Sequence, residues 1–310
     1  LINYFKIISI KFSDFISFIS SGLIAIGLIY NARSLSFQYE VDKARIEKED
    51  EVFNDLTSDL TIAEGTKCNF AINAREDLVF CGKKIIEEVF FQLKKSSKFQ
   101  NSSLDLKYFF NDGEFVKASN SIIAGSGDVK IILAGERIIL NLIQHLSSIA
   151  TATKKHVEAL NNSKIKILDT RKTLPNLREL QKYAVRCGGG ENHRFNLADL
   201  ILIKDNHINA CGGVVEALEM VSLNKNNVKI EIECDNFLQV VECLKFTPNI
   251  IMLDNMNFVE LQKSISAIRN QSGAIKIEVS GGINLENIQN YRNFDIDFIS
   301  IGSLTNSAKI

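Results

Sequence analysis

The stretch "KIKILDTRKTLP", residues 164–175, joins an apolar run to an acid, two adjacent cations and two hydroxyls. The run 164–168 is typical of a buried β-strand. Arg171 then offers a planar fork that suits a carboxylate, and Lys172 offers a point charge that suits a phosphate. The stretch therefore predicts a strand whose end holds an anion.

Five further short apolar runs follow the first and alternate with helix-like segments. The starts of the six runs lie 21 to 36 residues apart, which is the length of a β-strand plus a helix. Such alternation predicts an α/β fold with a parallel sheet covered on both faces, either a barrel or a doubly wound sheet. The five runs span residues 200–203, 228–233, 249–253, 275–279 and 297–301.

All six runs are followed by charged residues, hydroxyls or glycine. Because the carboxyl ends of the strands of an α/β barrel carry its reactive groups, we expect an active site there. In chain order these ends contain Asp169, Thr170, Arg171, Lys172, Lys204, Asp205, Asn206, His207, Glu233, Asp254, Asn255, Ser280, Gly281, Gly282, Gly302 and Ser303.

Several of these features predict an anionic ligand. In "GGGENHRF", residues 188–195, the glycines would let the backbone approach a ligand, and His193 and Arg194 add donors. Lys204 follows four apolar residues, so we expect it to have a partner. "SGG" at 280–282 and "IGS" at 301–303 favour phosphate binding through backbone N–H groups and a helix N-terminus.

Carboxylates stand opposite these cations. Glu231 and Glu233 are two residues apart on one predicted strand and should point to the same side, and Asp254 ends the next strand. Such groups could bind Mg²⁺ or sugar hydroxyls, or face a developing sugar cation. Glu231 could instead pair with a core lysine. The pocket suits a phosphorylated ribose with pyrophosphate and an acidic second substrate.

The first half of the chain predicts mixed helix and strand. Residues 87–95 and 136–160 show the spacing of amphipathic helices. Residues 121–137 contain two apolar runs, which we expect to be separated by a turn at "GSG", 125–127. The small residues Ser147, Ser148 and Ala150 would allow another element to pack closely on the long helix.

Composition excludes several classes of protein. The 310 residues carry a net charge of −1, so there is no overall basic field for nucleic acid. The six cysteines form no C-x-x-C pair, which disfavours a structural zinc or redox dithiol and fits a reduced, cytoplasmic protein. The apolar run 15–30 is shorter than the roughly 20 residues of a membrane span, so a core or interfacial helix is favoured over a membrane anchor.

Together these motifs resemble a known family, the quinolinate phosphoribosyltransferases. The densest similarity is "DTRKTLPNLRELQKYAVRCGGGENHRFNLADLILIKDNHI", residues 169–208. Similarity is weaker near 47–61, and in all it covers about residues 44–310. The other matching stretches are 135–151, 230–234, 251–256, 278–283 and 299–305.

The resemblance implies an N-terminal α/β sandwich and an incomplete α/β barrel of about seven strands. We place an extension at 1–40, the sandwich at 41–135 and the barrel at 136–310. Such enzymes join quinolinate to phosphoribosyl pyrophosphate and produce nicotinate mononucleotide, CO2 and pyrophosphate in NAD biosynthesis. They use Mg²⁺ and work as homodimers or larger homo-oligomers with shared active sites.

The resemblance also implies residue roles. Arg171, His193 and Arg194, near Thr170, would hold the quinolinate carboxylates, with Arg137 lent by the partner subunit. Between quinolinate and the phosphates would lie Lys172 and Lys204. Contacts to the ribose and its metal would come from Glu233 and Asp254. The phosphate cradle would comprise Ser280, Gly281, Gly282 and Gly302.

Three departures from the family pattern keep alternatives open. Asn306 stands where the family has a phosphate-binding histidine, family members continue past the position of Ile310, and residues 1–40 have no counterpart. One alternative is a phosphoribosyltransferase that acts on another acid. The other is a decayed or membrane-tethered barrel without catalysis.

Overall fold

The computed structural model describes residues 52–224 and 228–308. The predictions made for residues 1–40, including the apolar run 15–30, lie outside these residues. Within the described ranges, none of the helices combines the length and the apolar character that crossing a bilayer requires.

The first half of the described chain alternates short strands with three α-helices. The helix predicted at 87–95 starts at Lys83, and the one predicted at 136–160 starts at Val129, so both are confirmed and longer than expected. The elements are α1 (Leu56–Thr61), β1 (Lys67–Asn73), β2 (Leu78–Val79), α2 (Lys83–Lys95), β3 (Leu104–Tyr108), β4 (Phe115–Val116), β5 (Ser121–Asp128) and α3 (Val129–Leu160), after a 3₁₀ turn at Val52–Asn54.

The second half contains the six predicted strands, each within two residues of its apolar run. The elements are β6 (Lys166–Leu168), α4 (Arg178–Cys187), β7 (Ile201–Ile203), α5 (Asp205–Cys211), α6 (Val214–Asn224), β8 (Ile230–Cys234), α7 (Phe237–Cys243), β9 (Ile250–Asp254), α8 (Phe258–Gln271), β10 (Lys276–Ser280), a 3₁₀ helix (Ile288–Tyr291), β11 (Phe298–Ser300) and α9 (Ser303–Asn306).

The chain divides into two compact units. The described part of the first comprises residues 52–69, 84–105 and 126–140, and the second comprises 70–83, 106–125, 141–224 and 228–308. Strands β1, β5 and β3 form one sheet in that order, and β2 pairs with β4. The domain boundaries at residues 40 and 135 remain a prediction.

The six strands of the second unit form one parallel sheet in the order β6-β11-β10-β9-β8-β7. This confirms the α/β class, with six strands in the described residues against about seven predicted. Strands β6 and β7 end the series, so the sheet is open between them. On the free edge of β6, Leu168 forms a single parallel bridge with Glu191.

The register of this sheet decides which side chains share a face. Glu233 lies beside Met252, and Asp254 lies beside Ser280. Because side chains alternate along each strand, Glu231, Glu233, Asp254 and Ser280 project from the same face. The other face is apolar and carries buried residues such as Ile232 and Ile251 under the helices.

The turn predicted at Gly125–Gly127 is wrong. Strand β5 runs through this tripeptide without a break. The reason for glycine is lateral packing: a Cβ on Gly127 would overlap the carbonyl oxygen of Ser103 and lie 3.0 Å from the Cα of Leu104. The glycine lets two chain segments approach closely and does not reverse the chain.

The close packing predicted at the small residues of α3 is confirmed. The Ser147 hydroxyl accepts a hydrogen bond from the Cys81 N–H at 3.0 Å. A Cβ on Gly188 would overlap the carbonyl oxygen of Ala150 and lie 2.6 Å from the Cβ of Thr153. The backbone that follows α4 is therefore fixed directly against the long helix.

We predict that Gly127→Ala destabilises the protein by about 1–3 kcal/mol, because the new methyl group must displace backbone atoms of the neighbouring segment. Urea unfolding measures this change. Gly273→Ala is the matched control, since a Cβ there meets nothing within 4 Å. Equal unfolding midpoints for the two variants would contradict the packing argument.

Candidate active site

Two arginines interact with each other and lack a complete set of partners. The Nε–H groups of Arg171 and Arg194 are buried and have no acceptor among the described residues. Burial lowers the pKa of Arg194, and the positive charge of Arg171 lowers it further. Arg194 also donates to the Leu200 carbonyl at 2.9 Å, which fixes its direction. Two cations held this way can accept an anion between them, as a charge-assisted hydrogen-bond acceptor.

Both ring nitrogens of His193 contact other groups of the chain. Its Nδ1 accepts a hydrogen bond from the Arg194 N–H at 2.7 Å. Its Nε2 lies 3.4 Å from the Glu231 Oε1 in hydrogen-bond geometry, and 3.1 Å from the Oε2. The predicted contact of this ring with a substrate carboxylate remains a prediction, since in this conformation both nitrogens contact groups of the chain. The ring instead links Arg194 to a buried acid.

Two buried carboxylates lie beside His193. Glu231 and Glu278 have side chains that are 0% and 1% exposed, and Glu278 lies 3.6 Å from the His193 Nε2. Burial and the charge of Glu231 raise the pKa of Glu278 to about 8, although His193 offsets part of the shift. Burial lowers the pKa of His193, but Glu231 and Glu278 outweigh it and the pKa is raised.

The ligand-capable atoms of these three residues lie within 4.8 Å of one another, as they would around a metal ion. The histidine argues against a metal here. A metal-binding imidazole normally donates its second N–H, whereas the Nδ1 of His193 accepts one. The Nε2 therefore carries the proton in the neutral ring and points it at Glu231.

A second group of carboxylates surrounds Lys204. Its ammonium is paired with Glu233, as predicted for a lysine at a strand end. Burial and the charge of Asp254 raise the pKa of Glu233, although Lys204 opposes the shift. Carboxylate oxygens of Glu233, Asp235 and Asp254 all lie within 4.8 Å of one another. Oxygen donors at this spacing can hold a hard divalent cation.

The two predicted phosphate loops lie on this same edge of the sheet. Gly281 and Gly282 have φ of +99° and +61°, which favours glycine at both positions. A Cβ on Gly302 would meet Lys172 Cδ at 3.1 Å and Thr170 Oγ1 at 3.6 Å. The helix expected after each loop is reduced to one turn after Gly302, and a 3₁₀ helix follows the other loop.

Two of the three glycines at 188–190 allow close packing inside the protein. Gly188 packs on α3, and a Cβ on Gly190 would lie 2.8 Å from the side chain of Val185. Gly189 adopts a φ of +88° that lets the chain turn after α4. The prediction that this segment brings its backbone close to a ligand remains a prediction, and the segment does carry His193 and Arg194.

Arg137 and Asn306, which the sequence also links to substrate binding, are both exposed. Arg137 is exposed on α3, in the first compact unit, and its proposed role in a partner's site remains a prediction. Asn306 is exposed in α9, and its backbone N–H donates to the Gly302 carbonyl at 3.2 Å. The residue therefore stands next to the second phosphate loop.

Sequence reasoning missed three residues of the site. Glu278 is an acid inside the apolar run 275–279, and that anomaly was the signal for it. Asp169 stands at a strand end with no further signal of its role, and Lys182 belongs to an amphipathic helix, where a lysine usually indicates solvent-exposed surface. These two form a fully buried ion pair, with 0% exposure of both side chains.

Comparison with known proteins matches both parts of the chain to one family. Residues 55–147 match the quinolinate phosphoribosyl transferase N-terminal domain, and residues 149–310 match its C-terminal domain. A protein of Methanocaldococcus jannaschii described as a "probable nicotinate-nucleotide pyrophosphorylase (carboxylating)" is 42% identical over 267 residues. That alignment covers 83% of this chain and 89% of the relative.

Two further relatives agree with this. The carboxylating nicotinate-nucleotide pyrophosphorylase of Mycobacterium leprae is 36% identical over 256 residues, which cover 83% of this chain and 88% of the relative. The crystal structure of nicotinate-nucleotide pyrophosphorylase from Ehrlichia chaffeensis superimposes with a TM-score of 0.80 at 39% identity. It covers 88% of this chain and 96% of that chain.

We predict that the stabilising effect of Glu278→Gln grows with pH. The folded protein keeps a proton on Glu278 that the unfolded chain loses above about pH 4.5, so wild-type stability falls between about pH 5 and 8 relative to the variant. The difference in unfolding free energy should grow by roughly 3–4 kcal/mol over this range, at about 1.4 kcal/mol for each pH unit. Urea unfolding at several pH values measures it, with the exposed Glu286→Gln as control. A constant difference would contradict the buried-proton interpretation.

Proposed function

The chain belongs to the quinolinate phosphoribosyltransferase family, and we propose that it transfers the phosphoribosyl group of phosphoribosyl pyrophosphate to the ring nitrogen of quinolinate. The products are nicotinate mononucleotide, CO2 and pyrophosphate, which makes the enzyme a pentosyltransferase of NAD biosynthesis. One observation carries the proposal: Arg171 and Arg194 present interacting cations whose buried Nε–H groups lack acceptors among the described residues. Adjacent carboxylates on a pyridine ring would supply both acceptors.

Quinolinate would be held by charge and by direction. Arg171 and Arg194 would each receive carboxylate oxygens, with Thr170 beside them. His193 completes the pocket through its Nδ1, which holds the backbone of Arg194, while Glu231 holds the other side of the ring. Arg137 of a partner subunit would close the pocket in a homodimer or larger homo-oligomer.

Phosphoribosyl pyrophosphate would occupy the neighbouring strand ends. Lys172, Ser280, Gly281, Gly282 and Gly302 would bind its phosphates. In this arrangement Glu233 and Asp254 would face the ribose. Lys204 would lie between quinolinate and the phosphates, where its ion pair with Glu233 holds it. Asn306 can donate a hydrogen bond to phosphate but adds no charge.

Enzymes of this family act on phosphoribosyl pyrophosphate and use a divalent metal ion. The carboxylates of Glu233 and Asp254, with Asp235 beside them, fit such an ion because all their donors are oxygen. We propose Mg²⁺, which when bound would neutralise charge on the departing pyrophosphate. In the free protein, the Lys204 ammonium supplies a counter-charge to Glu233.

The reaction needs no covalent nucleophile from the protein. The C1–oxygen bond of the ribose breaks and its electron pair leaves with pyrophosphate, while the pyridine nitrogen forms the new bond to C1. Glu233 and Asp254 favour the positive charge that develops on the sugar. The bond to the adjacent carboxylate then breaks, CO2 leaves, and the cationic ring holds the electron pair until a proton from water replaces CO2. The site thus acts by positioning and electrostatics.

Location in the cell remains a prediction. The scattered single cysteines favour the reducing environment of the cytoplasm.

We predict that the purified enzyme releases labelled CO2 from carboxyl-labelled quinolinate only when phosphoribosyl pyrophosphate and Mg²⁺ are present, with one nicotinate mononucleotide formed per CO2. Arg171→Met should lower kcat/KM for quinolinate by about tenfold to hundredfold, because one charge-assisted hydrogen bond contributes about 1.5–3 kcal/mol. Nicotinate serves as the competing substrate. Mononucleotide formed from nicotinate without CO2 would favour the enzyme on another acid, and no product from either would favour a non-catalytic barrel.

We predict that Glu233→Gln and Asp254→Asn lower kcat by about 10²-fold or more and change quinolinate affinity by less than about threefold. These carboxylates act on charge that appears in the transition state, so their loss should slow turnover. Single-turnover rates and calorimetric Kd values separate the two effects. Weaker quinolinate binding with unchanged turnover would show that the two acids act on quinolinate and not on the ribose.

A further inference from the structure

A buried ion pair sits directly behind the anion site and takes no part in the proposed chemistry. Lys182 of α4 is paired with Asp169, and neither side chain is exposed. Asp169 follows β6 and lies, by alternation, on the opposite face of the sheet from Thr170. Because both side chains are fully buried, neither group contacts a substrate held by Arg171 and Arg194.

The pair binds the peptide groups of His193. The Asp169 Oδ1 accepts the His193 N–H at 2.9 Å, and the Lys182 ammonium donates to the His193 carbonyl at 2.9 Å. Asn192 ties the two halves together, since its amide donates to the Asp169 Oδ2 at 2.5 Å and to the Lys182 carbonyl at 2.8 Å.

These hydrogen bonds lie where the sheet provides little backbone pairing. The segment that carries His193 runs along the free edge of β6, where backbone pairing consists of one bridge. The Glu191 N–H donates to the Ile167 carbonyl at 2.8 Å, and the Asp169 N–H donates to the Glu191 carbonyl at 3.3 Å. Two residues later, the side chains of Asp169 and Lys182 satisfy the His193 N–H and C=O that a further strand would otherwise bind.

We propose that Asp169 and Lys182 are positioning residues that replace a missing strand, and that they set quinolinate affinity by fixing the backbone of His193 and Arg194. This inference rests on the proposed function. The ion pair holds the backbone of His193 and Arg194 in one conformation. The Arg194 guanidinium therefore enters the pocket from a defined direction. Without the hydrogen bonds from Asp169 and Lys182, the peptide groups of His193 would bind water instead. The segment could then move and take the Arg194 side chain out of the pocket.

Stability alone does not account for the pair. Isolating two charges from water costs about as much as their attraction returns, and apolar replacements of similar size are often neutral or stabilising. Burial accordingly raises the pKa of Asp169 and lowers that of Lys182, with each partner opposing the shift of the other. The directed bonds to His193 are what an apolar pair could not reproduce.

The test is the double variant Asp169→Asn/Lys182→Met, which removes both charges together and leaves no buried ion unpaired. The amide introduced at position 169 can still accept the His193 N–H, but the donor to the His193 carbonyl is lost. We expect Kd and KM for quinolinate to rise at least about tenfold, with KM for phosphoribosyl pyrophosphate changed less than about twofold and kcat less than about threefold. Calorimetry and steady-state kinetics on the full chain measure these values.

The matched control is Asp297→Asn/Arg269→Met. Arg269 binds Asp297 at 2.9 Å at the opposite end of the same sheet, where Asp297 also accepts the Ile277 N–H. This control should shift the thermal midpoint without changing quinolinate affinity. Equal quinolinate Kd for wild type and the Asp169/Lys182 variant, or an equal rise in the control, would overturn the proposal.

A second variant decides the matter if the double variant does not fold. Asn192→Ala removes two hydrogen bonds from the half-buried Asn192 and keeps the ion pair. It should raise the quinolinate Kd about threefold, and an unchanged Kd would overturn the proposal. If the wild-type protein makes nicotinate mononucleotide and the variants bind quinolinate as tightly as the wild type, only the positioning role is wrong. Wild-type protein that binds no quinolinate sinks the proposed function and this inference together.

Discussion

The parallel register of the six-stranded sheet is the constraint on which the site depends. It pairs Glu233 with Met252 and Asp254 with Ser280, so that residues far apart in the chain project from one face at one end. A slip of one residue in any strand would turn its functional side chain into the apolar layer beneath the helices. The fully buried isoleucines of that layer, such as Ile232 and Ile251, therefore protect the chemistry as well as the fold.

Two groups of like-charged side chains lie at this end of the sheet, one positive and one negative, and neither is fully neutralised by other residues. Arg171 and Arg194 interact without acceptors for their Nε–H groups among the described residues, while Glu233, Asp235 and Asp254 crowd three carboxylates together. A protein selected only for stability would neutralise such groups internally. A dianion at one half and a cation at the other would complete both, which is the demand that the two substrates and a metal ion meet.

Much of this arrangement could be predicted from the sequence, because apolar runs of four or five residues mark buried strands and their ends carry the polar groups. The strands, the pairing of Lys204 and the packing at Ser147 follow from local patterns. What failed needed partners distant in the chain. The glycines at 125–127 look like a turn until the Ser103 backbone is seen beside Gly127, and Lys182 looks like surface charge until it meets Asp169. The direction of the His193 ring depends on Glu231 and Arg194 together, which no spacing reveals.

The central claim is that Arg171 and Arg194, whose charges interact and whose buried Nε–H groups lack acceptors among the described residues, select a ligand with two neighbouring carboxylates. Calorimetric titration of the wild-type protein with quinolinate and with nicotinate, at one pH and one salt concentration, tests it most directly. The account predicts that quinolinate binds about tenfold to hundredfold more tightly, because only its second carboxylate completes the donors of both arginines. Equal dissociation constants for the two acids would contradict it.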